Sequence, residues 1–135
     1  MRVLLDTNTI IDYLAARKPF DENAETIFNL VGKKNITGYV NTSSVTDIYY
    51  ILRKTLSDAD CRSKLKFILR LLQVIEVSKN DCLVALDSLM LDFEDALVTV
   101  CAENLELDYI VTRDREFLKL PISISPQDFL AKCKI

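Results

Sequence analysis

Four aspartates, Asp6, Asp47, Asp95 and Asp114, stand at comparable places in the sequence. Asp6 directly ends the apolar run Val3–Leu5, and Asp114 directly ends "DYIVTR". Asp47 follows the β-rich stretch "ITGYV" in what the pattern makes the first turn of a helix. Asp95 lies in the first turn of a helix that begins after Asp92. Several carboxylates crowded together repel one another unless a cation sits between them. Oxygen ligands alone select a hard ion, Mg²⁺ or Mn²⁺. Such an ion activates water and offsets charge on a leaving oxygen, which suits phosphodiester hydrolysis. Two ions about 3.5–4 Å apart would divide these tasks.

Other chemistries are closed. The chain has no histidine, so no Ser-His-Asp triad, Cys-His dyad or imidazole acid–base pair can form. Its four cysteines, Cys61, Cys82, Cys101 and Cys133, include no C-x-x-C pair, which excludes zinc sites of ordinary spacing. They are expected to be reduced thiols. The net charge of −3 argues against non-specific nucleic-acid binding, although local patches can run against a sum. No apolar run reaches the ~20 residues of a membrane span. The N-terminus does not read as a signal peptide, so a cytoplasmic location is expected.

The acids must be positioned by the elements around them. Arg2–Leu5 reads as a buried strand and Thr9–Ala16 as a helix, with a break at Pro19. Asp21–Val31 reads as a second helix ended by Gly32, and Ile36–Val40 as a strand. Ser43 or Ser44 would cap a helix over Val45–Leu56, and Asp58–Leu72 forms another. Val74–Val77 is strand-like and Asn80–Leu89 helical. Asp92 caps the helix "FEDALVTVCAENL", "DYIVTRD" is a strand entering a turn, and "PISIS" is a short strand. Pro126 opens a last helix, Gln127–Lys132. Strands separated by helices predict one α/β domain over residues 1–135, an α/β/α sandwich around a central, mostly parallel sheet.

In such sheets ligand sites lie beyond the carboxyl ends of the strands, and helices that follow strands begin on the same edge. The topology alone thus draws the four acids to one rim. Each also has a bland explanation. Acids in first turns suit the helix dipole, by about 0.3–1 kcal/mol. Ser44 with Asp47, and Asp92 with Asp95, are spaced like capping boxes. An Asp after a strand often makes a turn. Asp92 is read as a helix cap, and Glu94 as an outward-facing or supporting acid.

The stretches "VLLDTNTIIDYL", "SSVTDIYYILRK", "DFEDALVTVCAE" and "YIVTRDREF", in this order, resemble the PIN-domain ribonucleases. The likeness is greatest to VapC-like toxins of toxin–antitoxin pairs, and spans Arg2 to about Leu130. It implies a three-layer α/β/α fold and an Mg²⁺- or Mn²⁺-dependent RNA endonuclease whose products carry a 5′-phosphate and a 3′-hydroxyl. By position, the family's four acids fall on Asp6, Asp47, Asp95 and Asp114. Asn8 matches the polar position two after the first acid, and Thr112 the hydroxyl residue of the last motif. The second acid is commonly Glu. Asp47 is one methylene shorter and is expected to reach metal through water. The resemblance also implies an antitoxin protein that inserts a residue into the acidic site, and a homodimer through helices within residues 45–72.

For an acidic chain to meet RNA, local cations are needed. Arg113 and Arg115 flank Asp114 and are expected to touch substrate. Arg53, Lys54, Arg62, Lys64, Lys66 and Arg70 form either a basic edge or an ordinary solvated face. Tyr49 and Tyr50 cannot share Asp47's face; one is expected in the core and the other at a surface. Two other readings remain. An aspartyl-phosphate enzyme of the haloacid-dehalogenase kind would want an acid where Asn8 stands, and a receiver domain a different order of acids. A non-catalytic PIN-like scaffold binding RNA or protein would not need all four acidic positions filled.

Overall fold

Three consecutive apolar side chains, Val3, Leu4 and Leu5, are all fully buried, as a strand covered on both faces requires. A computed structural model describes residues 1–90 and 92–133. In it, β1 (Arg2–Leu5), β2 (Thr37–Asn41), β3 (Gln73–Ile75), β4 (Tyr109–Val111) and β5 (Ser123–Ile124) form one sheet in the order β3-β2-β1-β4-β5. All four strand pairings are parallel, with Val3 opposite Gly38 on one side and Tyr109 on the other.

The strand period of two divides the core into two layers. Val3, Leu5, Val40 and Val111 point into one cluster, and Leu4 and Ile110 into the other. The first layer is covered by α1 (Thr7–Leu14), α2 (Asp21–Gly32), α3 (Thr42–Leu52), α4 (Asp58–Leu71) and α7 (Pro126–Cys133). The second is covered mainly by α6 (Phe93–Asn104), through Val98, Cys101 and Ala102. α5 (Lys79–Leu86) packs against α6 through Ala85, Ala96 and Leu97. This is the three-layer α/β/α sandwich expected, with a wholly parallel sheet. Gly38 is required by a close approach: a Cβ there would lie 2.7 Å from Leu72 Cδ2 and 3.1 Å from Val31 Cγ2. All four cysteines are free thiols.

Element ends differ from expectation where capping decides them. α1 starts at Thr7, not Thr9, because the Asp6 side chain accepts the Thr7 N–H and so caps the helix. It stops before Ala16, whose φ of 49° is left-handed. α3 follows β2 without a loop and begins at Thr42, so neither Ser43 nor Ser44 caps it. Ser44 is buried inside the helix, and the expected Ser44–Asp47 capping box does not form. α3 also ends at Leu52, where the chain tightens into i→i−3 bonds, Lys54 N–H to Ile51 O at 3.3 Å and Thr55 N–H to Leu52 O at 3.1 Å. α5 starts at Lys79 because Ser78 and Asp81 form a reciprocal capping box.

Candidate active site

The strand order reverses at β1. β2 and β3 extend the sheet on one side, and β4 and β5 on the other. The crevice between the ends of β1 and β4 is therefore the topological switch point, where open parallel sheets bind ligands. Asp6 and Thr112 are the residues that follow these two strands, and both are buried.

They are bonded to each other. Thr112 Oγ1 donates to Asp6 Oδ2 at 2.8 Å, and accepts the Asp114 N–H at 3.1 Å. The Thr7 N–H donates to Asp6 Oδ1 at 2.9 Å. Asn8 Nδ2 lies 3.3 Å from both Asp6 Oδ2 and Thr112 Oγ1, and Asn8 Oδ1 accepts the Arg113 N–H at 3.4 Å. Asn8 and Thr112 thus lock the turn after β4 to the start of α1. Asp114 Oδ1 in turn accepts the Glu116 N–H at 2.9 Å and the Phe117 N–H at 3.5 Å. That contact starts a 3₁₀ turn, Phe117–Lys119, absent from the sequence reading.

Asp6, Asp47, Asp95 and Asp114 line one open cleft, together with Asp92, Glu94, Thr7, Asn8, Ile11, Ile51 and Arg17. The acids come from four segments: the end of β1, α3, the start of α6 and the turn after β4. Asp92 caps α6 as expected, accepting the Asp95 N–H at 2.9 Å. Asp47 is in the second turn of α3, not the first, since α3 begins at Thr42. The helix dipole therefore explains little of its presence, because that effect fades after the first turn.

The crowding is visible in proton affinity. Burial raises the Asp6 carboxyl, against its bonds to Thr112 and Thr7, and the charges on Asp114 and Asp92 raise it further. Asp95 is pushed up to about 7, first by burial and then by Asp92, Asp6 and Asp114. Glu94 is also pushed up to about 7, by burial, by its hydrogen bond with Asp47 and by the charges on Asp47, Asp6 and Asp92.

These shifts fix a stability trend. Folded Asp95 and Glu94 keep protons up to about 7, whereas unfolded they release them near 3.8 and 4.5. The native state binds more protons in that interval, so their stabilising contribution is complete below it and lost as pH rises to about 7. Metal-free protein should melt at lower temperature at about pH 8 than at about pH 5, and Mg²⁺ or Mn²⁺ should raise melting at about pH 8 but scarcely at about pH 5. Calorimetric melts with and without EDTA check this.

The donor set contains only oxygen, as a hard divalent ion prefers. Among the described residues, however, no three acids converge tightly enough to enclose an ion as their side chains stand. Asp6, Asp92 and Asp114 each accept a backbone N–H through Oδ1, which orients their carboxylates. Mg²⁺ keeps several waters and needs only one or two carboxylates. A water-bridged ion fits the cleft; a closed protein cage does not.

Arg113, expected beside substrate, points elsewhere. Its Nε lies 2.6 Å from Asp12 Oδ2 and its Nη2 2.9 Å from Asp12 Oδ1. Its guanidinium also stacks 3.9 Å from the Phe20 ring centroid. Asp12 is 1% exposed, and a carboxylate buried so deeply requires a cation. Arg115 is exposed next to Asp114 but is not part of the cleft wall. None of Arg53, Lys54, Arg62, Lys64, Lys66 and Arg70 lines the cleft either. Arg62 pairs with Asp58 at 2.9 Å, and Arg62 and Lys66 border a separate groove between α3 and α4. Tyr49 packs against the core and hydrogen-bonds Asp58, while Tyr50 is 65% exposed. Glu94, read as an outward-facing or supporting acid, lines the cleft, and so does Arg17, which nothing in the sequence pattern singles out.

The sequence profile described as "PIN domain" matches residues 2–116, most of the chain. The chain belongs to the PIN domain family. Solved structures share the fold of this PIN domain. VapC20 of Mycobacterium tuberculosis, described as a sarcin-ricin loop cleaving toxin, aligns with a TM-score of 0.72 at 12% identity, over 89% of this chain and 95% of that one. The DNA-bound VapBC of Salmonella typhimurium gives a TM-score of 0.71 at 19% identity, over 93% and 98%. VapBC2 of Rickettsia felis, bound to a fragment of its promoter DNA, gives 0.66 at 21% identity, over 93% and 97%. No curated protein matches the sequence significantly. Among the described residues no helix of this PIN domain is long and apolar enough to cross a membrane.

Proposed function

We propose that this PIN domain is a metal-dependent endoribonuclease that hydrolyses RNA phosphodiester bonds, and that it acts as the toxin of a toxin–antitoxin pair in the cytoplasm. One observation carries the reading: acids from four separate segments share a cleft at the switch point of the sheet. The likeness in fold to VapC and VapBC proteins supports the toxin role and an antitoxin partner. A homodimer remains part of the proposal.

Asp6, Asp95 and Asp114, with Asp47 through water, would hold Mg²⁺ or Mn²⁺. Such an ion, when bound, supplies Lewis acidity that makes water nucleophilic at neutral pH and offsets charge on the phosphate. The protein's own part is positional. Thr112 and Asn8 fix the Asp6 carboxylate and tie it to the turn that carries Asp114. Asp95 and Glu94, raised to about 7, give up protons as cation binds, so ion affinity rises steeply through neutral pH. Arg115 stands beside Asp114 to meet the RNA backbone. Arg113 keeps a positioning role through Asp12.

Purified protein should cleave a structured RNA in Mg²⁺ or Mn²⁺ and stop in EDTA, and its expression should arrest growth unless the antitoxin is present. Cleavage that persists in EDTA would refute the metal mechanism. Because no three acids among the described residues converge tightly enough to enclose an ion, a second reading is kept, a non-catalytic scaffold. Tight RNA or protein binding without cleavage in any divalent ion would select it.

A further inference from the structure

A cleft walled by six acids is a poor place for a polyanion, even with an ion bound. One cation lines it among the described residues, Arg17. Arg17 forms no ion pair with any acid there, although carboxylates surround the cleft. It is exposed, so its guanidinium keeps all its donors for an incoming group.

Its backbone, by contrast, is firmly placed. The Arg17 N–H donates to Asp12 O at 3.0 Å, and Arg17 O accepts the Phe20 N–H at 2.9 Å. Asp12 and Phe20 are the two groups that grip the Arg113 guanidinium, from its edge and its face. Arg113 directly precedes Asp114. The turn that bears Arg17 is thereby braced to the turn that bears Asp114. A planar guanidinium with free donors, carried by a firmly placed backbone at the edge of an acidic cleft, matches the two non-bridging oxygens of a phosphodiester.

We infer that Arg17 is the substrate-binding cation of this cleft, gripping a phosphate of the RNA backbone. The inference rests on the nuclease reading and adds to it the group that anchors the polyanion. Arg17 holds the RNA before and during the reaction alike, so its loss should act on binding and not on the chemical step.

The test compares wild type with Arg17→Ala, Arg17→Lys and Lys33→Ala, a surface cation outside the cleft. The structured RNA used to test the nuclease reading serves as probe. Its affinity is read by fluorescence anisotropy with Ca²⁺ present, and its cleavage in Mn²⁺. Arg17→Ala should weaken binding and raise KM by about ten- to a hundredfold, with kcat nearly kept. The slope of log affinity against log salt should fall by about 0.7–0.9, one phosphate contact. Arg17→Lys should recover part of the loss, and Lys33→Ala should match wild type, with melting unchanged in all three. Equal affinity, KM and salt slope in Arg17→Ala and wild type would overturn the role of Arg17 while leaving the nuclease standing. A fall in kcat at constant KM would overturn it too. A wild type that neither binds nor cleaves the probe would sink the nuclease reading first, and this inference with it.

Discussion

Asp6→Asn should abolish the proposed divalent-dependent RNA cleavage, by on the order of a thousandfold or more, and leave the fold intact. The loss follows from removing a full charge where an ion and a phosphate must both be held, an effect of several kcal/mol. The survival of the fold follows from the local bonds. Asp6 caps α1 by accepting the Thr7 N–H, and Asn caps helices as well as Asp does. The amide also relieves a buried charge that repels Asp114 and Asp92. Metal-free Asp6→Asn should therefore melt no lower than wild type at neutral pH. Asp95→Asn should lose activity comparably, since its carboxyl, raised to about 7 by burial and then by Asp92, Asp6 and Asp114, shares the same cleft. Rates with and without EDTA, beside calorimetric melts, separate loss of chemistry from loss of structure. Cleavage that survives either substitution would show that these acids are structural.

Arg113→Met should destabilise the protein by about 3–5 kcal/mol, since it leaves the buried Asp12 carboxylate without its partner. For a chain of this size that lowers the melting temperature by roughly 10–20 °C. Substituting both members, Asp12→Leu with Arg113→Met, should restore most of the loss, because an apolar pair has no charge to desolvate. Urea melts of the two single variants and the double variant give the coupling energy directly. A mild effect of Arg113→Met alone would mean that Asp12 is neutral or solvated in the folded state.

The contrast between Asp6 and Arg113 shows what a sequence can and cannot reveal about this site. Asp6 and Asp114 were legible because an acid that ends a fully apolar strand has nowhere to point except the rim. The parallel sheet was legible because "VLL" and its later counterparts are buried on both faces. Side-chain direction beyond the strand ends was not legible. Arg113 sits one residue from Asp114 yet turns away, because a buried Asp12, 101 residues earlier in the chain, claims it. Glu94 lines the same cleft as Asp47, whose place in α3 depended on the missing loop after β2. Arg17 follows a helix end set by the left-handed Ala16, a backbone choice that the pattern does not encode.

Everything functional depends on whether a hard divalent ion occupies the shared cleft. Crystals soaked in Mn²⁺ and measured at the manganese edge decide it. An anomalous peak is expected within coordination reach of Asp6, Asp95 and Asp114, directly or through one water, and absent from Asp95→Asn crystals. A fully occupied peak elsewhere, or none in the cleft at saturating Mn²⁺ and neutral pH, would contradict it.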